Sequence, residues 1–150
     1  MLSSYLQKLT NVEFIPHQNK EGVKDILNIS DATYVCFSNI PVLATNSPNK
    51  LFDSLASGKL TIVNTPGWTK EMVEKYQCGF YADPLNPQDF VARIKPFLEQ
   101  RDLLERHKKN ARSIAEQHYS KRLQVQKLVS ILNNEKQIRV SGSEVYILTA

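Results

Sequence analysis

Residues 47–63 read SPNKLFDSLASGKLTIV, and this stretch decides the fold of the chain. Its pattern predicts a short helix that is opened by Pro48, capped by Ser47 and closed by Gly58. Leu60–Val63 follows as a buried strand, which places the helix start at the carboxyl edge of a parallel sheet. Unpaired backbone N–H groups at such a helix start favour anionic ligands. The stretch therefore predicts an anion-binding site in an α/β fold.

Lys50 and Asp53 lie one turn apart at the start of the predicted helix. A basic side chain at this position suits the anionic ligand that a helix start attracts. The same pair also fits an ordinary solvated helix flank, because both residues lie opposite the apolar face. Their spacing alone leaves both interpretations open.

Strand-like and helix-like segments alternate on either side of this stretch. Buried apolar runs predict strands at 32–37 and 60–63, and the pattern also predicts a short strand at 12–15 and a short, edge-like strand at 80–82. Helical spacing predicts helices at 23–30, 69–76, 90–98, 104–118 and 125–132, with Gly79 as a left-handed cap after the second. This order predicts an α/β fold with a doubly wound parallel sheet and C-terminal helices. Residues 1–136 form the expected domain, and 137–150 form a tail that is either a β-hairpin around Gly142 or disordered.

Charge is distributed unevenly along the chain. Residues 101–136 hold nine Lys or Arg against four acids, so the C-terminal helices suit an anionic partner such as a membrane surface. A solvated helix surface explains the same charges, and we expect no nucleic-acid partner. No apolar run is long enough to span a bilayer, and we expect a cytoplasmic protein, at most peripheral to the inner face of the membrane.

The cysteines and histidines predict neither a metal site nor a catalytic triad. Cys36 and Cys78 are expected to be small buried residues, since the chain has no CxxC motif and no Cys/His cluster. His107 and His118 fall on the apolar stripe of one helix and are expected to be partly buried and hydrogen-bonded.

Five blocks occur in order along the chain: NVEFIPHQ, ISDATYVCFSN, SPNKLFDSLASGKLTIVNTPG, EKYQCGFYADPLNPQDFVARI and NARSIAEQHYS. From about Asn11 to Leu132 they resemble the C-terminal, donor-binding half of family 4 (group 1) glycosyltransferases. The likeness is greatest to the bacterial branch that builds surface polysaccharides, whose sugar-nucleotide loop is P-x-K-x-x-D/E. The resemblance implies a Rossmann-like, partial GT-B domain and retaining, metal-independent transfer from a nucleoside-diphosphate sugar, without a further cofactor.

The resemblance also assigns roles to residues of the opening stretch. Asp53 would accept hydrogen bonds from the ribose hydroxyls of the donor. Lys50 and the backbone amides around Ser47 and Asn49 would face the diphosphate, with Pro48 in the same loop motif.

Other expected site residues lie at neighbouring loops. The loop 17–19, which contains His17, would lie beside the nucleobase, and Gly67 belongs to a loop that approaches the donor closely. Trp68 either lines the sugar pocket or anchors this loop. Thr45 stands where the family usually has an acid that touches the sugar, a loss that is common in the polysaccharide branch.

A family member carries an acceptor domain and further donor-domain strands before the point that matches Asn11. We therefore expect a donor half that lacks part of its own sheet, works with an acceptor-domain protein or as a homo-oligomer, and transfers no sugar alone. The alternatives are a non-catalytic α/β interaction module, the remnant of a truncated gene, or a fragment of a sugar-nucleotide epimerase. The neighbouring reading frame would separate a split enzyme from a remnant.

Overall fold

The computed structural model describes residues 9–133. Within them, three parallel strands form a sheet in the order β1 (Ala32–Val35), β2 (Leu60–Val63), β3 (Gly79–Tyr81). The α-helices are α1 (Lys20–Ile29), α2 (Asn49–Ala56), α3 (Trp68–Lys75), α4 (Pro87–Glu99), α5 (Arg101–His118) and α6 (Lys121–Leu132), and a 3-10 helix covers Pro41–Thr45.

Helices cover both faces of the sheet, which confirms the expected fold class. On one face Val35 and Val63 share a buried cluster with apolar residues of α2, α3 and the second half of α5. On the other face Ile62 and Phe80 pack with Leu104 of α5 and with the aromatic side chains of α4. Alternate residues of each strand point to opposite faces, so a continuous apolar run serves both clusters.

The central strand β2 fixes the whole sheet. All four of its residues are buried, and it pairs with both neighbours, Ala32 lying opposite Leu60 and Thr61 opposite Gly79. A Cβ atom on Gly79 would overlap the carbonyl group of Thr61. Glycine is therefore required where β3 approaches β2.

The two turns that follow α2 and α3 use different residues for the left-handed conformation. Gly58 has a φ of 63°, which confirms that it closes α2. After α3 it is Gln77, with a φ of 49°, that takes the left-handed conformation, whereas Gly79 is the first residue of β3. The prediction of a cap at Gly79 is therefore wrong.

The strand predicted at 12–15 is absent from the sheet. A strand exists only where a neighbour pairs with its backbone, and these residues have no ladder partner within 9–133. Phe14 is 81% exposed, as expected for a side chain that packs against no sheet face. The predicted order of helices and strands is thus correct from α1 to α6.

Within residues 9–133 the first strand lies at the edge of the sheet and is only partly covered on the face where Ala32 and Tyr34 contact the cluster of Phe80 and Phe90. Tyr34 is 46% exposed, and Cys36, just beyond the strand, is exposed as well. The prediction of a buried Cys36 is therefore wrong. Cys78 is buried, and burial raises the pKa of its thiol to about 12.

Within residues 9–133 no helix is both long enough and apolar enough to cross a membrane. The tail predicted at 137–150 and the domain boundary at 136 lie outside the described residues.

Candidate functional site

The candidate site is the carboxyl edge of the sheet, where an asparagine side chain extends the pairing of β1 with β2. Asn64, directly after β2, donates its Nδ2 to the carbonyl oxygen of Phe37 (2.8 Å) and accepts the Phe37 N–H at Oδ1 (2.9 Å). Asn64 is only 8% exposed. One buried amide thus replaces a pair of backbone hydrogen bonds and fixes the loop after β1.

Lys50 lies beside the same loop. Its ammonium group donates to the carbonyl oxygen of Cys36 (2.9 Å) and stands 3.9 Å from the centroid of the Phe37 ring. A carbonyl and an aromatic face are neutral partners, and no acidic side chain within residues 9–133 forms an ion pair with Lys50. The cation is therefore held at the carboxyl edge and can still attract an anion.

The loop after β2 is tied to the segment before α2. Trp68 donates its indole N–H to the carbonyl oxygen of Asn46 (3.0 Å), and its ring stacks on Phe52. This contact shows that Trp68 anchors the loop. Gly67 has a φ of 87°, and a Cβ atom there would lie 3.3 Å from the carbonyl oxygen of Ala44. A larger residue would therefore strain the backbone where the two loops meet.

An open groove of about 580 Å³ runs between α1 and α2, and Asp53 lies on its wall. The groove follows α1 from Gln18 to Asn28 and meets the second half of α2 at Asp53, Ala56 and Ser57, so it extends away from the carboxyl edge at which α2 begins. Polar and charged side chains of two segments line this α1–α2 groove: Gln18, Asn19, Lys20 and Lys24 from the side of α1, Asp53 and Ser57 from the side of α2. Its volume lies in the range of small-ligand sites, roughly 300 to 1,000 Å³.

The structure brings only part of the predicted site into this groove. Asp53 lines it, and so do two of the three residues of the loop 17–19, whereas His17 is exposed and is not among the lining residues. Lys50 precedes Asp53 by one turn of α2, which leaves the two side chains on the same flank of the helix.

The segment before α2 differs from the prediction in its capping. Pro48 is the N-cap residue, its carbonyl oxygen accepts the N–H of Leu51, and no side chain caps the helix. The predictions of Ser47 as N-cap and of Pro48 as the first helical residue are therefore wrong. Asn49 is instead the first helical residue, and its exposed position leaves the helix start open to a ligand.

Thr45 ends the 3-10 helix, and its hydroxyl donates to the carbonyl oxygen of Val42 (2.9 Å). Its side chain is thus used locally. A hydroxyl in this position cannot supply the negative charge of the family's acid.

Three site residues escaped the sequence analysis. Lys20 and Lys24 give the α1–α2 groove two cations, and Asn64 holds the loop on which Lys50 rests. Asn19, whose side chain accepts the N–H of Gly22 and caps α1, was a usable signal, because basic residues one and five positions later share one helix flank. For Asn64 the available signal was a polar residue directly after the apolar strand β2.

His107 and His118, both in α5, do not line the groove. His107 is buried, places its Nδ1 3.0 Å from the carbonyl oxygen of Leu103, and meets the edge of the Phe97 ring. Burial lowers its pKa. His118 packs against the rings of Tyr76 and Tyr119. Between residues 9 and 133 no group of three or more His, Cys, Asp or Glu side chains is placed to hold a metal ion.

This geometry can bind, at one edge of a sheet, a ligand with anionic and hydroxyl-bearing parts. Lysine ammonium groups and free N–H groups of α2 suit phosphates, and the Asp53 carboxylate suits hydroxyl donors. Dinucleotide-binding α/β folds also bind their ligands at the carboxyl ends of the strands.

Comparison with known proteins identifies the family of the chain. The model of the family described as "Glycosyl transferases group 1" matches residues 2–114. No curated protein and no solved structure matches the chain. The matched segment contains the whole sheet, the α1–α2 groove and the loops at its carboxyl edge. The chain belongs to the group 1 glycosyltransferase family.

Proposed function

We propose that this chain is the donor-binding part of a retaining glycosyltransferase of polysaccharide biosynthesis, and that it binds a nucleoside-diphosphate sugar at the carboxyl edge of its sheet. The observation that carries the proposal is the α1–α2 groove, where Asp53 and the segment 18–20 meet. Membership of the family makes a nucleotide-sugar the expected ligand. The proposal follows the resemblance to the donor half of bacterial enzymes that build surface polysaccharides.

In this proposal the nucleoside occupies the groove. The Asp53 carboxylate accepts hydrogen bonds from the two ribose hydroxyls, and the exposed side chain needs no rearrangement to do so. Gln18 and Asn19 border the base. Lys20 and Lys24 also line the groove, Lys24 in an exposed ion pair with Glu21 (3.6 Å).

The diphosphate lies at the start of α2. Lys50 leaves the Cys36 carbonyl oxygen and pairs with the phosphates, a move that its flexible stem allows. The backbone N–H groups near Ser47 and Asn49 add hydrogen bonds, and together they stabilise the leaving diphosphate when the sugar departs. Because Gly67 has no side chain, the sugar can approach the backbone of this loop closely.

Sugar transfer needs a closed cleft between donor and acceptor. In this proposal an acceptor-binding polypeptide or a second copy of the chain supplies the other side of that cleft. The groove is open, and orientation of donor against acceptor can supply roughly 7 to 11 kcal/mol of the barrier. We therefore expect the purified chain to bind nucleotide without transferring sugar. Turnover of a nucleotide-sugar by the monomer would contradict this part of the proposal.

A double-mutant cycle tests the role of Asp53. Calorimetric titrations compare uridine diphosphate with its 2′,3′-dideoxy analogue on the wild type and on Asp53→Ala. The substitution should weaken uridine diphosphate by about 1.5 to 3 kcal/mol, the range of hydrogen bonds to a charged group. It should leave the dideoxy analogue almost unaffected, because the hydroxyl partners are already gone.

Asp25→Ala is the matched control, since this exposed aspartate of α1 does not line the groove. It should change both affinities little. The same titrations with guanosine diphosphate and its 2′,3′-dideoxy analogue test the other common base. Additive losses in the cycle, or no nucleotide binding by the wild type, would remove Asp53 from the site.

A further inference from the structure

Lys50 does not pair with the acidic side chain of its own helix. Lys50 and Asp53 are three residues apart on α2, a spacing at which opposite charges on one helix flank attract each other. Ion pairs at spacings of three or four residues do form on α1, α4 and α5. The ammonium group of Lys50 is held instead by the carbonyl oxygen of Cys36 and by the ring of Phe37. These two contacts therefore replace the ion pair that the spacing predicts.

The ring of Phe37 has a fixed position in the ligand-free chain. Asn64 holds the backbone of Phe37 at both its carbonyl oxygen (2.8 Å) and its N–H (2.9 Å). The ring is partly buried and packs against the core cluster that contains Val35 and Val63. Its centroid lies 3.9 Å from the Nζ atom of Lys50. A fixed aromatic face therefore supports the charged end of a flexible side chain.

This contact leaves both charges of α2 available to a ligand. If Lys50 turned to Asp53, the pair would occupy the carboxylate that suits hydroxyl groups and offset the charge that attracts phosphates. A lysine ammonium group has more than one N–H donor, and the carbonyl oxygen of Cys36 accepts from it at 2.9 Å. The ammonium group can therefore turn to a phosphate while the stem of Lys50 stays on the ring.

We propose that Phe37 is a positioning residue of the donor site and acts through Lys50. Its ring keeps the ammonium group away from Asp53 in the free chain. The ring continues to support Lys50 when the ammonium group exchanges the Cys36 carbonyl oxygen for a phosphate, so less of the side chain has to be ordered on binding. The inference rests on the proposed function and adds to it a residue that need not contact the nucleotide.

Nuclear magnetic resonance of the free chain tests the positioning without a nucleotide. An aromatic ring shields nuclei above its face, so the Hε resonances of Lys50 should lie upfield of those of a solvated lysine. Phe37→Leu should abolish this shift, and Phe37→Tyr should keep it. The carboxylate carbon of Asp53 should change its resonance in Phe37→Leu, as Lys50 turns to it, but not when Phe37→Leu is added to Lys50→Met. An Asp53 resonance that does not respond to Phe37→Leu would overturn the proposal.

Calorimetric titration with uridine diphosphate tests the effect on binding. Phe37→Leu should weaken the affinity about twofold to tenfold, because Lys50 must then leave Asp53 and be ordered on binding. Phe37→Tyr keeps an aromatic face and should bind like the wild type. In the Lys50→Met background Phe37→Leu should cause no further loss, whereas a purely structural role would give the same loss in both backgrounds. The upfield shift of Lys50 should persist at saturation, and its disappearance would show that the lysine leaves the ring.

Tyr76→Leu is the matched control. The Tyr76 ring packs against the same core cluster and lies 5.3 Å from the Nζ atom of Lys75, but it is at the C-cap of α3 and does not line the groove. Its removal should leave the affinity for uridine diphosphate unchanged, and circular dichroism checks that the variants fold. Equal losses for Tyr76→Leu and Phe37→Leu would overturn this inference alone. Absence of binding by the wild type would overturn the proposed function, and with it the role of the Phe37 ring in a donor site.

Discussion

Replacement of Asn64 by alanine should destabilise the fold through a single backbone position. The side chain makes two hydrogen bonds to Phe37, donating to its carbonyl oxygen (2.8 Å) and accepting its N–H (2.9 Å), and it also accepts a long hydrogen bond from the Thr65 hydroxyl (3.5 Å). A hydrogen bond contributes about 0.5 to 1.5 kcal/mol net, and a buried group left without its partner costs roughly 1 to 3 kcal/mol. The contact between Asn64 and Phe37 is partly buried, so we expect the free energy of unfolding to fall by about 2 to 3 kcal/mol. The loop that carries Lys50's carbonyl partner should also loosen.

Urea unfolding followed by circular dichroism measures this loss. With a slope of about 2 kcal/mol/M, the midpoint should fall by roughly 1 to 1.5 M while the slope stays constant. Asn110→Ala is the matched control, because its Nδ2 makes one exposed bond to the carbonyl oxygen of Gln77 (3.1 Å). Asn110→Ala should lower the free energy of unfolding by less than about 0.5 kcal/mol. Equal shifts for the two variants would refute the view that the double bond to Phe37 holds β1 to β2.

Other substitutions test the sheet and the buried histidine. Gly79→Ala should cost about 3 kcal/mol or more in urea unfolding, since its Cβ atom would overlap the carbonyl group of Thr61. A Cβ atom on Gly22 would lie 2.6 Å from the movable Oε1 of Gln18 and 3.1 Å from its Cβ atom, so Gly22→Ala should change the stability by less than about 1 kcal/mol; equal losses for the two variants would contradict the reasoning. Burial lowers the pKa of His107, so the unfolded chain takes up the proton first and stability should fall as pH drops below about 6.5. His107→Gln should flatten this pH dependence, and an unchanged slope would show that the buried ring is not its source.

The fold was largely predictable because its strongest signals are local. The continuous apolar run of β2 and the glycine that ends α2 fixed one strand–helix unit, and the helical spacing of α1, α5 and α6 gave correct placements within a few residues. The prediction at 12–15 was wrong for a physical reason. Backbone pairing depends on a neighbouring strand, and side-chain pattern alone does not reveal whether a neighbour is present.

The candidate site was only partly predictable because its contacts join distant residues. Asp53 could be placed on the flank of α2 from spacing, but the groove around it depends on how α1 packs beside α2. The partners of Lys50 and Trp68 are backbone carbonyl groups, which carry no sequence signal. The exposure of Cys36 follows from the edge position of β1, which spacing does not specify.

The central position of β2 has a consequence for how the chain reaches its fold. Both ladders use this strand, and each closes over a single helical crossover, so every strand pairs with its nearest neighbour along the sequence. Such short loops lose little chain entropy on closure, and folding is fast when contacts are local. Neither crossover can be completed without β2. We therefore expect this strand and the two helices beside it to form the folding nucleus, with α6 joining later.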